Sequence, residues 1–568
     1  VFTAPAHNSV SLVVGGDVPA TTAAVVAGTA AVPKDESQNE VIYGNVSVDD
    51  HAVGVDSTIE TIALDGYGNA AVGDVTDVDA LKTLTLRNSD GSTVVNTDVA
   101  TLSLVLDNMG DAATANVNLD GAGANVETLT ITSENDESDV NLTAAAVKAL
   151  TINAGADLDL SRSAVSTVLE TVSITGAGEV DLGDITAATG LDSLNASANT
   201  GGVTATVNAA TANVGDLTEY IFSGGDDDVT LADSTVNTKV SLGAGNDKIS
   251  LATGTTSLSA VIDGGAGTNT LHMDAADAVN ASATTTFETK IDNFQKLSLG
   301  ASAVDHTVKL GNMNDIDYVI STGVVTTKTL TIQGMLNNGT LELTTAGSND
   351  VIVEMADATG ANDTFNIVTK VSATNLIFGK VEVADVENIN IAATDTAPGT
   401  AASPNIQTAT LTVDADSAET IVITGNSHLN LTTTTGTDLV LVDASAMTGK
   451  LDYAATVDEL VVLGGSGADT LDASGASQVV LNGGAGNDTL IAGELAQLTG
   501  GAGADTFEMN VEGGVVGYAT ILDFNSGDVI DTGSNVGGTN FVTTKIAYAG
   551  TAVFQDVANK AITETALG

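Results

Sequence analysis

The chain has 568 residues and carries 73 Asp and Glu against 16 Lys and Arg, a formal net charge of -57. That excess repels nucleic acid and anionic membrane surfaces, so neither is expected as a partner. Cysteine is absent, which excludes disulfides and a thiol nucleophile, and no apolar run reaches the roughly 18 residues of a membrane span. Acidity of this degree often accompanies disorder, but 43% of the residues are hydrophobic, so the chain is expected to fold. Its apolar residues are mainly Ala, Val, Leu and Ile, Thr is abundant, and 60 Gly against 5 Pro point to strands joined by tight turns. Self-repulsion at this charge opposes a compact state unless cations neutralise it.

Residues 1–55 have weak periodicity and are rich in Ala, Thr and Val; they read as a lead-in or interface segment. The chain starts at Val1 rather than Met and shows no secretory signal, so we expect a processed form or fragment lacking an N-terminal region. Over 56–220 one phrase recurs, with alternating apolar positions at its end: IETIAL (59–64), LKTLTL (81–86), VATLSL (99–104), VETLTI (126–131), VKALTI (147–152), LETVSI (169–174) and LDSLNA (191–196). The alternation predicts a strand with one buried face. From Val126 onward the phrases are 21, 22 and 22 residues apart, too short for a domain but suited to one coil of a solenoid, which buries its face only by stacking on neighbours. The expected class is all-β, an elongated parallel β-solenoid or β-helix, with a β-sandwich of short strands as the alternative. The acidic run ENDESD (134–139) reads as a solvated loop, with a cation site as its alternative.

Residues 221–275 form a first glycine–acid block: SGGDDDVTL (223–231), LGAGNDKISL (242–251) and DGGAGTNTLH (263–272). Aligned on the aliphatic that follows, Asp227, Asp247 and Asn269 share one position, with Gly225, Gly243, Gly245, Gly264 and Gly267 before them. Asn269 keeps an oxygen but loses the charge, so weaker metal affinity is expected there. His272 reads as a solvated strand residue. The segment 276–455 returns to strand-like text (FQKLSL, VENINI, AETIVI) with a less even period, so it is either solenoid or separate β domains.

Residues 456–510 hold a second block: GGSGADTLD (464–472), GGAGNDTLI (483–491) and GGAGADTFE (500–508). Each fits G-G-x-G-x-D-x-apolar-x, with Asp469, Asp488 and Asp505 spaced 19 and 17 residues apart. Calcium takes six to eight oxygen ligands at about 2.3–2.6 Å, from carboxylates and main-chain carbonyls. The glycines (Gly464, Gly467, Gly483, Gly486, Gly500, Gly503) permit the sharp turns that offer carbonyls, and the Asp supplies charge. Leu471, Leu490 and Phe507 would then plug the interior. A bare run of Gly-rich turns is the competing account.

This nonapeptide is the calcium-binding repeat of RTX proteins, and the chain resembles that family of bacterial proteins exported by type I secretion. TILDFNSGDVIDTG (520–533), within a C-terminal cap and secretion region at 511–568, is similar to the phrase that follows RTX repeats. Its Asp523, Asp528 and Asp531 read as calcium ligands or as turn and cap residues. The closing KAITETALG departs from the aliphatic tail of the family's secretion signal. The long Thr-, Ala- and Val-rich body and few RTX coils resemble the surface-layer members. That resemblance implies a secreted, cell-surface protein with several calcium ions, assembling with itself into a two-dimensional lattice. A missing N-terminal region is the expected place for an anchor to surface polysaccharide, and with this charge and no long apolar run no membrane insertion is expected.

Catalytic text is not found. The five histidines form no H-E-x-x-H, and GGSGA at 464–468 places its serine wrongly for a nucleophile elbow. A lyase-like β-helix site needs clustered cations, and the chain has two arginines, Arg87 and Arg162. The expectation is a non-enzymatic structural protein, with an RTX adhesin for a host or neighbouring cell as the alternative.

Overall fold

The computed structural model describes residues 60–531, apart from short stretches within that span, together with four strands at 2–4, 10–13, 23–27 and 46–49. The reading of 1–55 as an interface, and that of the secretion tail beyond 531, therefore lie largely outside the described residues. The chain divides into two compact units: Val1–Met273 with Thr284–Gln295, and Asp274–Ala283 with Lys296–Gly568.

Both units are parallel β-solenoids. In the first, one 13-stranded sheet runs from Phe2–Ala4 to Ile291–Asp292, and the strands facing it include Thr270–Met273 as this unit's last. In the second unit, an 11-stranded sheet runs from His306–Lys309 to Val529–Asp531, opposite a sheet from Lys296–Leu299 to Thr520–Ile521. The chain alternates between the two sheets, so each strand pairs with strands one coil before and one coil after. Among the described residues the one antiparallel pair is Gly399–Thr400 with Ser403–Pro404. Parallel pairing between consecutive coils excludes the sandwich, whose strands pair antiparallel.

Alternation explains the coil. Thr128–Ser133 and Ala149–Ala154 bury every second residue, and Leu129 stacks on Leu150 and Ile131 on Ile152. Each fully buried aliphatic contributes about 1.5–3 kcal/mol, but only because the next coil covers it. The phrases do not always stack on themselves, however. Leu84 of LKTLTL pairs with Leu104, the last residue of VATLSL, rather than with Leu102. That slip of two residues keeps every inward side chain inward, whereas a slip of one would turn the apolar face outward.

Residues 296–455 continue as coils of the second unit, with Ile389 on Ile421 and Ile391 on Ile423. The sequence reading held no helix, yet Ala275–Ala281 forms one, burying Ala275, Ala278 and Ala281. Its four alanines, the best helix formers, suit it. Among the described residues no helix is long and apolar enough to cross a membrane.

Candidate metal-binding loops

Both glycine–acid blocks form the turns between the two sheets of their own unit. In the second unit, Val461–Leu463, Val480–Ala485 and Gln497–Ala502 lie in one sheet, and Thr470–Asp472, Thr489–Ile491 and Thr506–Glu508 in the other. The aliphatic after each Asp enters the interior: Leu471, Leu490 and Phe507 are fully buried and stacked in register. This buries the acid one step behind. Asp469, Asp488 and Asp505 are at most 1% exposed.

The acids form a ladder along the stack. The Asp469 N–H donates to Asp488 Oδ1 (2.8 Å), the Asp488 N–H to Asp505 Oδ1 (3.0 Å), and the Asp505 N–H to Asp528 Oδ1 (3.0 Å). The ladder ends backward at Asp469, whose Oδ1 accepts from Leu451 N–H and whose Oδ2 accepts from Gly465 N–H, both at 2.8 Å. The first unit repeats the design. Asp227 N–H donates to Asp247 Oδ1 and Asp247 N–H to Asn269 Oδ1, each at 2.9 Å, and Asn269 N–H to Gln295 Oε1 at 2.7 Å.

The second carboxylate oxygen divides these positions. Oδ2 of Asp247, Asp488 and Asp505 is buried without a hydrogen-bond partner. Asp227 differs: its Oδ2 accepts from Ser223 N–H (3.0 Å), and its Oδ1 from Val203 N–H and the Ser223 hydroxyl. Asn269 turns its amide nitrogen to the Asn293 carbonyl at 3.0 Å and the Gly265 carbonyl at 3.4 Å.

The glycines are there for room as much as for rotation. A Cβ at Gly483 would stand 2.4 Å from Asp488 Oδ2, and one at Gly500 would stand 2.4 Å from Asp505 Oδ2. Gly464 stands in the same relation to Asp469. Gly486 and Gly503 adopt φ of +130° and +150°, and a Cβ on either would strike the carbonyl of the glycine one coil earlier, Gly467 or Gly486. In the first unit Gly243, Gly245 and Gly267 approach the preceding coil in the same way, as does Gly225; Gly264 faces Asn269.

Burial makes the ionised acids costly. It pushes Asp227, Asp469 and Asp488 up to about 6 and Asp247 up to about 7, despite the N–H bonds that pull the other way. Asp505 is also raised, by burial first and then by the charges of Asp528 and Asp523. None of these five carboxylates is ion-paired with Lys or Arg among the described residues. A dehydrated carboxylate oxygen with no donor requires a proton or a cation. Among the described residues no three His, Cys, Asp or Glu gather as a metal cluster. A buried carboxylate with main-chain carbonyls of glycine-rich turns near it is a donor set that suits a hard cation such as calcium.

Other expected positions fall elsewhere. In 134–139, Glu134 pairs with Arg87 and Asp139 with Arg162, so the run is held by ion pairs. Asp523 accepts the Gly500 and Gly501 N–H groups, and Asp528 continues the ladder, so both cap the stack; Asp531 lies in the last described strand. His272 sits half-buried in a strand beside Ser250. The sequence reading missed Gln295, which closes the first ladder, because a helix-bearing insertion separates it from Asn269. It also missed a second, exposed ladder one residue before the acids, in which Asp226 accepts from Asn246 N–H and Asn246 from Thr268 N–H. Its signal is the polar residue before each aligned position of the first block, Asp226, Asn246 and Thr268. Comparison with protein-family models gave no match, and comparison with curated protein sequences gave none either.

Proposed function

We propose that the chain is a secreted structural protein of a bacterial surface layer, non-enzymatic, which folds around calcium outside the cell and associates with itself into a two-dimensional lattice. The observation that carries this reading is the stacked acids: buried carboxylates that carry an oxygen with no donor, in glycine-rich turns that bring main-chain carbonyls close by. Asp247, Asp488 and Asp505 would hold the ions, with main-chain carbonyls of the same loops. Calcium there would neutralise charge and tie successive coils together, so metal binding and folding are one process. The chain's own residues template the site: the N–H ladder orients each carboxylate, the glycines admit it, and Leu471, Leu490 and Phe507 exclude water behind it. A net charge of -57 favours an environment rich in divalent cations, and self-association of bodies so acidic needs such ions between them. The lattice itself rests on the resemblance to surface-layer RTX proteins.

Electron microscopy of the purified protein in millimolar calcium, and again after chelation, tests the proposal. Ordered sheets that dissolve on chelation are expected. Folded, dispersed monomers in calcium at every concentration would refute the lattice and favour the adhesin.

A further inference from the structure

The six aligned loop positions are not equivalent, and the difference lies in the main chain. Four residues before each acid stands an N–H whose direction decides the fate of the outer carboxylate oxygen. In loop 464–469 that group is Gly465 N–H, and it donates to Asp469 Oδ2 at 2.8 Å. In loop 223–227 it is Ser223 N–H, and it donates to Asp227 Oδ2 at 3.0 Å. Both loops lack a glycine of positive φ among the described residues. The loops before Asp247, Asp488 and Asp505 are built differently. Each has two such glycines separated by one residue: Gly243 and Gly245 (+98°, +139°), Gly484 and Gly486 (+96°, +130°), Gly501 and Gly503 (+96°, +150°). With that rotation, the Gly484 N–H turns away to Asn482 Oδ1 (3.2 Å), and the Gly501 N–H to Asp523 Oδ2 (2.9 Å). Asp488 and Asp505 are left with a buried Oδ2 that has no donor, and Asp247 is in the same condition. The Asn269 loop is rotated too, at Gly265 and Gly267, and Gly265 N–H goes to Asp263. Its amide nitrogen, however, donates to the Asn293 and Gly265 carbonyls and so occupies oxygens that would otherwise face a cation.

We propose that these two blocks hold three cations, at Asp247, Asp488 and Asp505, that Asp227 and Asp469 are closed turns without metal, and that Asn269 is an open turn without metal because its own amide fills it. The division rests on the calcium reading above and sharpens it. The closed acids have each oxygen hydrogen-bonded to an N–H or hydroxyl donor, so burial there leaves no oxygen that needs an ion. Asn269 repels a cation with its own N–H protons, while its rotated loop is otherwise of the open kind.

Native mass spectrometry of the full chain, titrated with calcium after chelator treatment, counts the ions. Compared with the unaltered chain, Asp247→Asn, Asp488→Asn and Asp505→Asn are each expected to hold one ion fewer. Asp227→Asn and Asp469→Asn should hold the same number, and Asn269→Asp one more. The gain in Asn269→Asp does not depend on whether a loss-of-site variant folds. Equal losses from Asp227→Asn and Asp488→Asn, or no gain in Asn269→Asp, would overturn the division while leaving calcium binding intact. An unaltered chain that takes up no calcium would overturn both.

Discussion

Replacing Leu490 by alanine tests whether each coil is held by the coils on either side. Leu490 is fully buried, stacked in register between Leu471 and Phe507, which are also fully buried. Truncation removes three carbons, about 2.4 kcal/mol of transfer free energy at about 0.8 kcal/mol per methylene. The two neighbours are fixed by parallel ladders, so the gap cannot close by sliding along the stack, and the unrelaxed cavity raises the loss to about 3–4 kcal/mol. In a solenoid the loss stays near its origin, because coils interact mainly with their neighbours. Amide hydrogen exchange in calcium-containing buffer reads this directly. Protection in Thr470–Asp472, Thr489–Ile491 and Thr506–Glu508 should fall by two to three decades, since about 1.4 kcal/mol is a factor of ten. Strands of the first unit should keep their protection. Val440→Ala, at a side chain 56% exposed, is the control and should change stability by less than about 0.5 kcal/mol. A loss below one decade, or one equal to that of the control, would refute the stacked-interior account.

Two further outcomes follow from the same geometry. Gly503→Ala would place a Cβ 1.6 Å from the Gly486 carbonyl at φ +150° and should cost about 2 kcal/mol or more, whereas Gly190→Ala meets nothing within 4 Å and should be neutral or stabilising by about 0.4–1 kcal/mol. Thermal melts of the two variants check the contrast, and equal destabilisation would count against it. The buried acids also predict a pH dependence. Their folded values, about 6 for Asp227, Asp469 and Asp488 and about 7 for Asp247, lie above the ordinary 3.8, so the native state binds more protons than the unfolded chain across this range. Their contribution to stability is full below about pH 4 and is lost as pH rises through 6 to 7. In chelator the melting temperature should therefore fall between pH 4.5 and 7.5, less steeply in Asp247→Asn, and calcium should flatten the slope; a rise with pH in chelator would contradict the burial argument.

Much of this protein is legible in its residues because two local rules are written plainly. Alternation in TLTITS or TIVITG sets which side chains face inward, and the short period leaves stacking as the way to bury them. The G-G-x-G-x-D spelling likewise marks the loops and the plug that follows, and Leu490 and Phe507 lie where that spelling places them. Register is a different matter. Leu84 on Leu104 and Leu84 on Leu102 bury the same face, so the alternating pattern cannot choose between them, and coil length decides. The fate of each acid is likewise set from a distance: Gln295 closes one ladder and Asp523 draws off the Gly501 N–H, each from another coil. Asp469 and Asp488 sit in matching nonapeptides, yet one is closed and the other open, because Asn482 offers an acceptor to the loop N–H where Leu463 offers none. That contrast is local, two residues from the N–H it redirects, and stands in the sequence; Gln295 and Asp523 are partners from another coil, neighbours only after the chain has wound, and the sequence pattern does not show them.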